Sequence, residues 1–331
     1  MGVMAGKVTT LQEIVERIST SHPGHEDVRA NLTTLAGDEQ PHFPLIDPAL
    51  LEQPRYGYHQ SVPWIVGNQD ALAGLQAMPD RSIDCAVTSP PYYWQREYGV
   101  EGQTGQEDTV EEYVAKLVAV FAEVRRLLKP RGTAFLIIGD TYYSGKGQPK
   151  GGDRKQVWRG VARDKYRAVD KPGFGVPKKS LLGIPWRVAL ALQADGWTLR
   201  SAVTWVKPKT LAEPSVRDRP RTTTETVFIL AKGRDYHFDR AGLAGEEDVW
   251  HIPAPPGSKR FRHAAPFPEA LVERCLAAGC PAGGVVLDPY AGSGTTLAVA
   301  ARRGHPSIGI ELNPQYCKLV AERLIIKSAG R

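Results

Sequence analysis

Long apolar runs are missing from this sequence: no stretch reaches the roughly 18 apolar residues that a membrane-spanning helix needs. The first residues, MGVMAGKVTTLQEIVERI, contain no apolar segment of the kind found in secretory signal peptides. Both absences disfavour export and membrane insertion. We therefore expect an intracellular, cytoplasmic protein.

Cysteines are also few. The four residues Cys85, Cys275, Cys280 and Cys317 form no CxxC pair and lie beside no histidine at a ligand-like spacing. This pattern predicts neither a disulfide framework nor a zinc site, and we expect no metal ion to take part in the function.

The composition is that of an ordinary globular protein with a mild basic excess. Its 331 residues are 42% hydrophobic and 24% charged, which is enough to bury one substantial core or two modest ones. The chain has 42 Lys and Arg against 36 Asp and Glu, a formal net charge of +6. This balance permits a polyanionic partner without requiring one.

From Trp64 onwards, short apolar strands alternate with helical segments. The strand-like runs include WIVGN, IDCAVTS and TAFLIIGD. Helices are predicted over 110–128 and 181–194, strands over 198–206 and 222–231, and a block of helices and strands over 269–326. This alternation predicts an α/β fold with a mostly parallel sheet.

The pattern also divides the chain into two parts. Residues 1–60 are predicted to form one amphipathic helix, with Leu11 and Ile14 on its apolar face, followed by an extended arm rich in Pro, Gly and His. Residues 61–331 are predicted to form the α/β domain.

Three segments inside the α/β domain have the composition of inserted loops. Residues 145–179 carry eleven Lys or Arg and seven Gly, and residues 207–221 are basic and interrupted by prolines. Residues 242–262 form a third candidate. Cations attract phosphates, so we expect these loops to contact nucleic acid. A solvated surface loop is the alternative.

The first motif with chemical content is DPYAGSGTT at 288–296, which follows the apolar run VVL and opens a helix. Small residues there let backbone N–H groups approach a ligand. A dinucleotide fingerprint would need a third glycine where Leu297 stands, which argues against a nicotinamide-dependent oxidoreductase. Glu311 ends the next strand, where a ribose-binding acid belongs, although it could simply cap the following helix.

The second motif is Thr88-Ser89-Pro90-Pro91-Tyr92, which follows the strand IDCAV. Two prolines stop the strand and stiffen the chain at the edge of the sheet. A rigid pair of acceptors there suits an exocyclic amine, whose nitrogen can then attack an electrophilic methyl group. A simple turn is the alternative.

Together the two motifs resemble those of the amino-group DNA methyltransferases, which methylate N6 of adenine or N4 of cytosine. VTSPPYY at 87–93 is similar to their catalytic motif and LDPYAGSGTT at 287–296 to their cofactor motif, in the order of the permuted β group. The resemblance covers residues 66–324. It implies a Rossmann-like class I fold with a mostly parallel, seven-stranded sheet and circularly permuted motifs.

The resemblance implies S-adenosyl-L-methionine as cofactor and assigns residues to it. Asp70 resembles the acid that binds the adenine amino group, Glu311 the one that holds the ribose hydroxyls, and Phe267 an aromatic beside the cofactor. The remaining cofactor-binding candidates lie in or beside the two strand ends: Asp288, Pro289, Tyr290, Ala291, Gly292, Ser293, Gly294, Thr295, Thr296 and Leu312. Tyr290-Ala291 departs from the commoner Phe-containing pair of the family.

The resemblance also implies the reaction: a base rotated out of duplex DNA would be methylated in a pocket formed by Ser89, Pro90, Pro91 and Tyr92. Serine at position 89 is typical of the cytosine-N4 enzymes, which favours cytosine; adenine-N6 remains the alternative. The DNA-contacting candidates in the basic loops are Lys155, Arg159, Arg163, Lys207, Lys209, Arg217, Arg219 and Arg221.

Rival interpretations remain open at this point. One is a DNA-binding homologue that has lost catalysis, and another is methylation of RNA or of a protein glutamine. The glutamine enzymes carry Asn before the prolines and are not permuted, which disfavours that interpretation. The resemblance further implies a bacterial, archaeal or phage origin, and allows a homodimer and a cognate restriction endonuclease as partners.

Overall fold

A computed structural model describes residues 45–147, 167–208, 216–243, 247–254 and 267–326. Its centre is a sheet whose order is β1-β2-β9-β8-β3-β4-β6-β5-β7. The strands are β1 (Arg55–His59), β2 (Val62–Gly67), β3 (Ile83–Thr88), β4 (Leu128–Ile138), β5 (Thr198–Val206), β6 (Thr224–Ala231), β7 (Val249–His251), β8 (Val286–Asp288) and β9 (Ser307–Ile310).

The sheet is mostly parallel, as predicted. Parallel pairing joins β2 to β9, β9 to β8, β8 to β3, β3 to β4 and β5 to β7. Among these described strands, only β1 with β2 and β6 with its two neighbours pair antiparallel. Seven of these strands, β2 to β6 with β8 and β9, are the seven that the sequence predicts. The other two described strands, β1 and β7, lie at the edges of the sheet.

Helices cover both faces of this sheet. They are α1 (Ala71–Gln76), α2 (Val110–Leu127), α3 (Ile184–Ala194), α4 (Glu269–Gly279), α5 (Thr295–Arg302) and α6 (Pro314–Ile326). Buried side chains of α1, α2 and α3 join one apolar cluster, whereas those of α4, α5 and α6 belong to two others. The sheet is thus buried on both sides, as a parallel sheet requires.

Helix α2 shows how directly the sequence dictates an element. The Thr109 hydroxyl accepts from the Glu112 N–H, and the Glu112 carboxylate accepts from the Thr109 N–H, which completes a capping box. Leu117 and Phe121 are fully buried on its inner face, and each contributes about 1.5–3 kcal/mol by leaving water. The helix ends one residue before the predicted limit.

Strand β4 departs from the prediction, because it begins at Leu128 rather than after the LKPRG segment. Its pairing with β3 jumps from Ile83 opposite Leu128 to Cys85 opposite Thr133. Residues 129–132 fall in this break of the register, which accommodates Pro130 because it makes no ladder hydrogen bond there.

The order of the sheet reverses between β8 and β3. From β3 the chain crosses through α2 to β4, and from β8 it crosses through α5 to β9 on the other side. Such a reversal opens a crevice at the carboxyl ends of the two strands, where ligands bind in open α/β sheets. Both sequence motifs follow these two strands.

Some predictions concern residues that the structure does not describe, and others differ from what it shows. The predicted N-terminal helix, and Lys155, Arg159, Arg163 and Lys209, lie outside them. Strand β1 lies in the predicted arm, so the sheet begins before residue 61. Within 242–262, Trp250 is fully buried in β7, since this short segment pairs with β5 instead of projecting as a loop.

All four cysteines are free and buried. Among the described helices, none has both the length and the apolar character required to cross a membrane.

Candidate active site

The two motifs lie about 200 residues apart in sequence and meet at one point of the sheet. Strands β3 and β8 pair in parallel, so their carboxyl ends lie side by side. There the Thr88 hydroxyl donates to Asp288 Oδ1 at 2.7 Å. This bond joins the last residues of the two strands and holds the loops that follow them over a shared space.

That space is a single cleft of about 250 Å³. Its walls combine the candidate catalytic and cofactor-binding residues with residues that the sequence did not suggest. Of the predicted residues it contains Asp70, Ser89, Pro90, Pro91, Tyr92, Lys207, Phe267, Pro289, Tyr290, Ala291, Gly292, Ser293, Thr295, Glu311 and Leu312. Residues missed by sequence reasoning include Gln95, Tyr98, Thr104, Trp205, Glu225 and Tyr316.

The glycine turn after β8 is held in a shape that needs its glycines. Gly292 and Gly294 have φ of +52° and +77°, a region that side chains disfavour. Gly294 caps α5, and Arg323 from α6 donates to the Ser293 carbonyl at 3.3 Å and to Thr295 Oγ1 at 3.1 Å. The conformation of the turn is therefore set by its glycines and by the hydrogen bonds that Arg323 donates.

Glu311 lies opposite this turn at the end of β9. Its Oε2 accepts from the Gly292 N–H at 2.8 Å and its Oε1 from the Asn313 N–H at 2.7 Å. Each carboxylate oxygen keeps further acceptor capacity toward the cleft that it lines. Burial raises the pKa of the Glu311 carboxyl to about 7, although the two backbone donors act in the opposite direction.

Asp70 and Tyr290 complete this half of the cleft. Asp70 caps α1, where its Oδ1 accepts from the Leu72 N–H at 2.9 Å, so the carboxylate is oriented by the helix it starts. The Tyr290 hydroxyl lies 3.4 Å from Thr104 Oγ1. Phe267, which precedes α4, lines the same cleft.

Three predicted cofactor residues are not part of the cleft wall: Asp288, Gly294 and Thr296. Asp288 is fully buried behind it, and burial raises the pKa of its carboxyl to about 6. Besides the Thr88 hydroxyl, its Oδ1 accepts from the Tyr290 N–H at 3.1 Å, whereas Oδ2 is buried without a hydrogen bond. In this structure Asp288 shapes the loops.

The Ser-Pro-Pro-Tyr segment forms the other half of the cleft. Ser89 Oγ donates to the Tyr92 hydroxyl at 3.3 Å, and the Tyr113 hydroxyl of α2 donates to the Pro91 carbonyl at 2.9 Å. The Tyr92 ring packs against Gly139, just beyond β4, where a Cβ atom would lie only 2.7 Å from its Cε2 atom. The segment is thus held by one internal hydrogen bond and by contacts with two other parts of the chain.

An ion pair between Lys207, which follows β5, and Glu225 of β6 was not anticipated. Glu225 Oε2 accepts from the Tyr92 hydroxyl at 2.6 Å, and its Oε1 pairs with the Lys207 ammonium. That ammonium also lies 5.3 Å from the centre of the Trp205 ring. The sequence predicted Lys207 as a DNA contact. For Glu225, the only sign of a special role in the sequence was an acidic residue within the strand TETVFILA.

The three predicted arginines of the second basic loop lie outside the cleft. Arg217 and Arg221 are exposed, whereas the Arg219 guanidinium stacks 3.8 Å from the Tyr142 ring centre. Asp218 forms an ion pair with Lys179 at 2.6 Å. This part of the loop is therefore docked on the protein with two cations facing outward.

The residues present suit a nucleoside-bearing cofactor. Carboxylates at Asp70 and Glu311 are acceptors for amino and hydroxyl groups, and Glu311 is a half-buried acceptor whose partial desolvation a donating ligand would offset. The small residues of the turn leave room for close approach. Tyr290 and Tyr316 supply apolar walls to the same cleft.

Comparison with known proteins agrees with this geometry. A family described as DNA methylase matches residues 83–322. The type II methyltransferase M.SmaI of Serratia marcescens is 41% identical over 274 residues, covering 79% of this chain and 90% of that protein. M.Cfr9I of Citrobacter freundii is 39% identical over 264 residues, covering 77% and 85%.

Solved structures share the fold. A PvuII DNA methyltransferase described as cytosine-N4-specific superposes with a TM-score of 0.60 at 22% identity, covering 81% of this chain and 92% of that one. A candidate DNA modification methylase from Thermus thermophilus, complexed with S-adenosyl-L-methionine, gives 0.55 at 25% identity, covering 80% and 96%. The family match and the 41% identity to M.SmaI show that the chain belongs to the N6/N4 DNA methylase family, whose enzymes use S-adenosyl-L-methionine.

Proposed function

We propose that the chain methylates N4 of cytosine in duplex DNA, after the target base has rotated out of the stack into the cleft. The observation that carries the proposal is that Ser89 and the cofactor-binding turn share one cleft. A base inside a duplex cannot reach such a recess, and extruding it costs a few kcal/mol. Contacts of the basic loops with phosphates would offset that cost.

Ser89 and the Pro90 carbonyl are the proposed acceptors for the two hydrogens of the target amine. Tyr113 already donates to the Pro91 carbonyl, which makes that group a structural anchor. Accepting both hydrogens favours a pyramidal nitrogen whose lone pair points at the electrophile. When bound, S-adenosyl-L-methionine would supply a methyl group on a sulfonium that leaves as a neutral thioether, while the methylated nitrogen loses one of its protons to solvent. The residues of this chain contribute alignment and preorganised polarity.

The choice of cytosine rests on serine at position 89, the form typical of cytosine-N4 enzymes. The PvuII enzyme named above is described as cytosine-N4-specific, but at 22% identity the similarity supports only a common fold. Adenine offers a similar amine next to a ring-nitrogen acceptor. N6-adenine is therefore the second candidate, and a catalytically inactive DNA-binding homologue the third.

The partners follow from the same family membership. The relatives named above are type II methyltransferases, so we propose a cognate restriction endonuclease that cuts the unmethylated sequence. A homodimer is also proposed, and light scattering of the purified protein at several concentrations tests it.

The deciding experiment incubates the protein with S-adenosyl-L-methionine and unmethylated genomic DNA, digests the DNA and identifies nucleosides by mass spectrometry. We expect N4-methylcytosine. N6-methyladenine would overturn the choice of base and keep the enzyme class. The Ser89→Ala variant should lose methyl transfer while still binding the cofactor, as measured by calorimetry. A fully active Ser89→Ala variant would contradict the proposed role of this residue.

A further inference from the structure

The hydrogen bonds of the cleft form a chain that runs away from the target amine. Ser89 donates to Tyr92 at 3.3 Å, and Tyr92 donates to Glu225 at 2.6 Å. Glu225 in turn pairs with Lys207 through its other oxygen. The chain therefore begins at the proposed amine acceptor and ends at a carboxylate on a strand that carries no recognised motif.

We propose that Glu225 is a positioning residue that acts through Tyr92 to keep the Ser89 hydroxyl oxygen available as an acceptor. The inference rests on the proposed role of Ser89 as the acceptor of the target amine. Nothing in the family motif assigns a role to position 225.

The direction of the chain follows from donor counting. A carboxylate only accepts, so the single proton of Tyr92 points to Glu225. The Tyr92 oxygen then has only lone pairs left for Ser89, and the single proton of Ser89 is committed to Tyr92. The Ser89 oxygen keeps its lone pairs for an N–H of the base. Each bond polarises the next, which strengthens the acceptor at the end of the chain.

The surroundings of Tyr92 support this arrangement. Burial raises the pKa of the Tyr92 hydroxyl well above its usual value, and the charge of Glu225 raises it further. Tyr92 therefore keeps the proton that the chain requires.

Lys207 fixes the far end of the chain. The side chains of Lys207 and Glu225 are only 18% and 17% exposed, so their attraction is weakly screened. Trp205 lies beside the ammonium and lines the same cleft. A carboxylate held by a cation on one oxygen presents the other to Tyr92 in a single orientation.

Removing the charge at 225 should weaken this direction. In Glu225→Gln the amide can present either an acceptor or a donor to Tyr92. When the amide donates, Tyr92 can turn its proton toward Ser89, and Ser89 is no longer held as an acceptor. We expect the single-turnover methylation rate to fall about ten- to a hundredfold, the equivalent of one hydrogen bond to a charged group. Cofactor affinity should stay within about twofold, because position 225 acts on the amine side.

A double-mutant cycle with Tyr92→Phe tests whether Glu225 acts through Tyr92. If it does, adding Glu225→Gln to Tyr92→Phe lowers the rate by less than about threefold, because the connection is already broken. Full multiplication of the two losses would overturn the inference. Saturating DNA and cofactor, with radiolabelled methyl groups, keep slow variants measurable.

A second variant distinguishes two effects of Glu225→Gln: the lost orientation of the Tyr92 hydroxyl and the unpaired charge of Lys207. Glu225→Gln leaves Lys207 as a poorly screened cation without its partner, which is costly in itself. The pair Glu225→Gln with Lys207→Met removes that charge. We expect the pair to stay as slow as Glu225→Gln, whereas recovery of the wild-type rate would contradict the inference. The methylation rates of these variants can be measured on whichever base the protein methylates. Formation of N6-methyladenine would therefore overturn the proposed base without affecting the test of Glu225.

Discussion

At the scale of single residues, Glu311 shows how one carboxyl group is prepared for a ligand. Two backbone N–H groups bind it, at 2.8 and 2.7 Å, yet burial still raises its pKa to about 7. An isolated buried acid prefers its proton, and a ligand that donates to the carboxylate reverses that preference. The protein thus carries a local cost at Glu311, and we propose that cofactor binding relieves it.

A pH dependence of cofactor binding follows from this. We propose that the ionised form of Glu311 accepts from the ribose hydroxyls of the cofactor, so protonation removes that acceptor. The affinity for S-adenosyl-L-methionine should be full above about pH 8 and fall as the pH drops through about 7, by up to about tenfold per unit because one proton is linked to binding. Calorimetric titrations between about pH 6 and pH 9 measure it.

The matched control is Glu311→Gln, which keeps the shape of the side chain and cannot ionise. The cofactor has titrating groups of its own, and their contribution remains in this variant. Subtracting the two profiles isolates Glu311. Identical pH profiles for the two proteins would show that Glu311 does not sense the ligand.

At the scale of elements, the end of β4 is shaped to receive the aromatic ring of the Ser-Pro-Pro-Tyr segment. Gly139 lies just beyond the last residue of β4, and a Cβ atom there would lie 2.7 Å from Tyr92 Cε2 and 3.0 Å from Cδ2. Carbon atoms pack at about 3.5–4.0 Å. A single methyl group at 139 must therefore displace the ring.

We expect Gly139→Ala to lower the methylation rate by about tenfold or more, because a shift of about 1 Å in a catalytic group can cost a hundredfold. The matched control is Gly233→Ala, where a Cβ atom would meet nothing within 4 Å. Thermal unfolding of both variants shows whether either protein is destabilised. Equal methylation rates for both variants would mean that the position of the Tyr92 ring is unimportant.

These elements also mark how far the sequence can predict the structure. Helix α2 and strand β5 were predicted to within one residue, because apolar periodicity and local capping determine them. The register shift in β4 and the short strand β7 were not, since both depend on pairing with residues distant in sequence. Local pattern carries no information about such partners.

At the scale of the whole molecule, the site exists because the sheet brings distant segments together. The motif residues could be predicted because each follows a strand and their carboxyl ends share an edge. Glu225 could not, because it meets Tyr92 only through the antiparallel insertion of β6 beside β4. Lys207, which is predicted to bind DNA, pairs with Glu225 in the cleft, and the sequence gives no sign of that contact either.

The exposed arginines of the second basic loop provide a test of how the whole molecule meets DNA. Arg217 and Arg221 are exposed, whereas Arg219 is stacked on Tyr142. If the first two contact phosphates, replacing either by Ala weakens DNA binding and lowers the slope of log K against log salt by about 0.9, the release of one counterion.

Arg219→Ala provides the contrast, because its guanidinium already serves the protein. We expect this variant to loosen the loop and to change the salt slope less than the other two. Fluorescence anisotropy with a labelled duplex between about 50 and 300 mM salt, the range in which phosphate contacts dominate, measures all three slopes. Unchanged slopes for Arg217→Ala and Arg221→Ala would mean that DNA approaches the cleft from another side, since a cation that releases no counterion touches no phosphate.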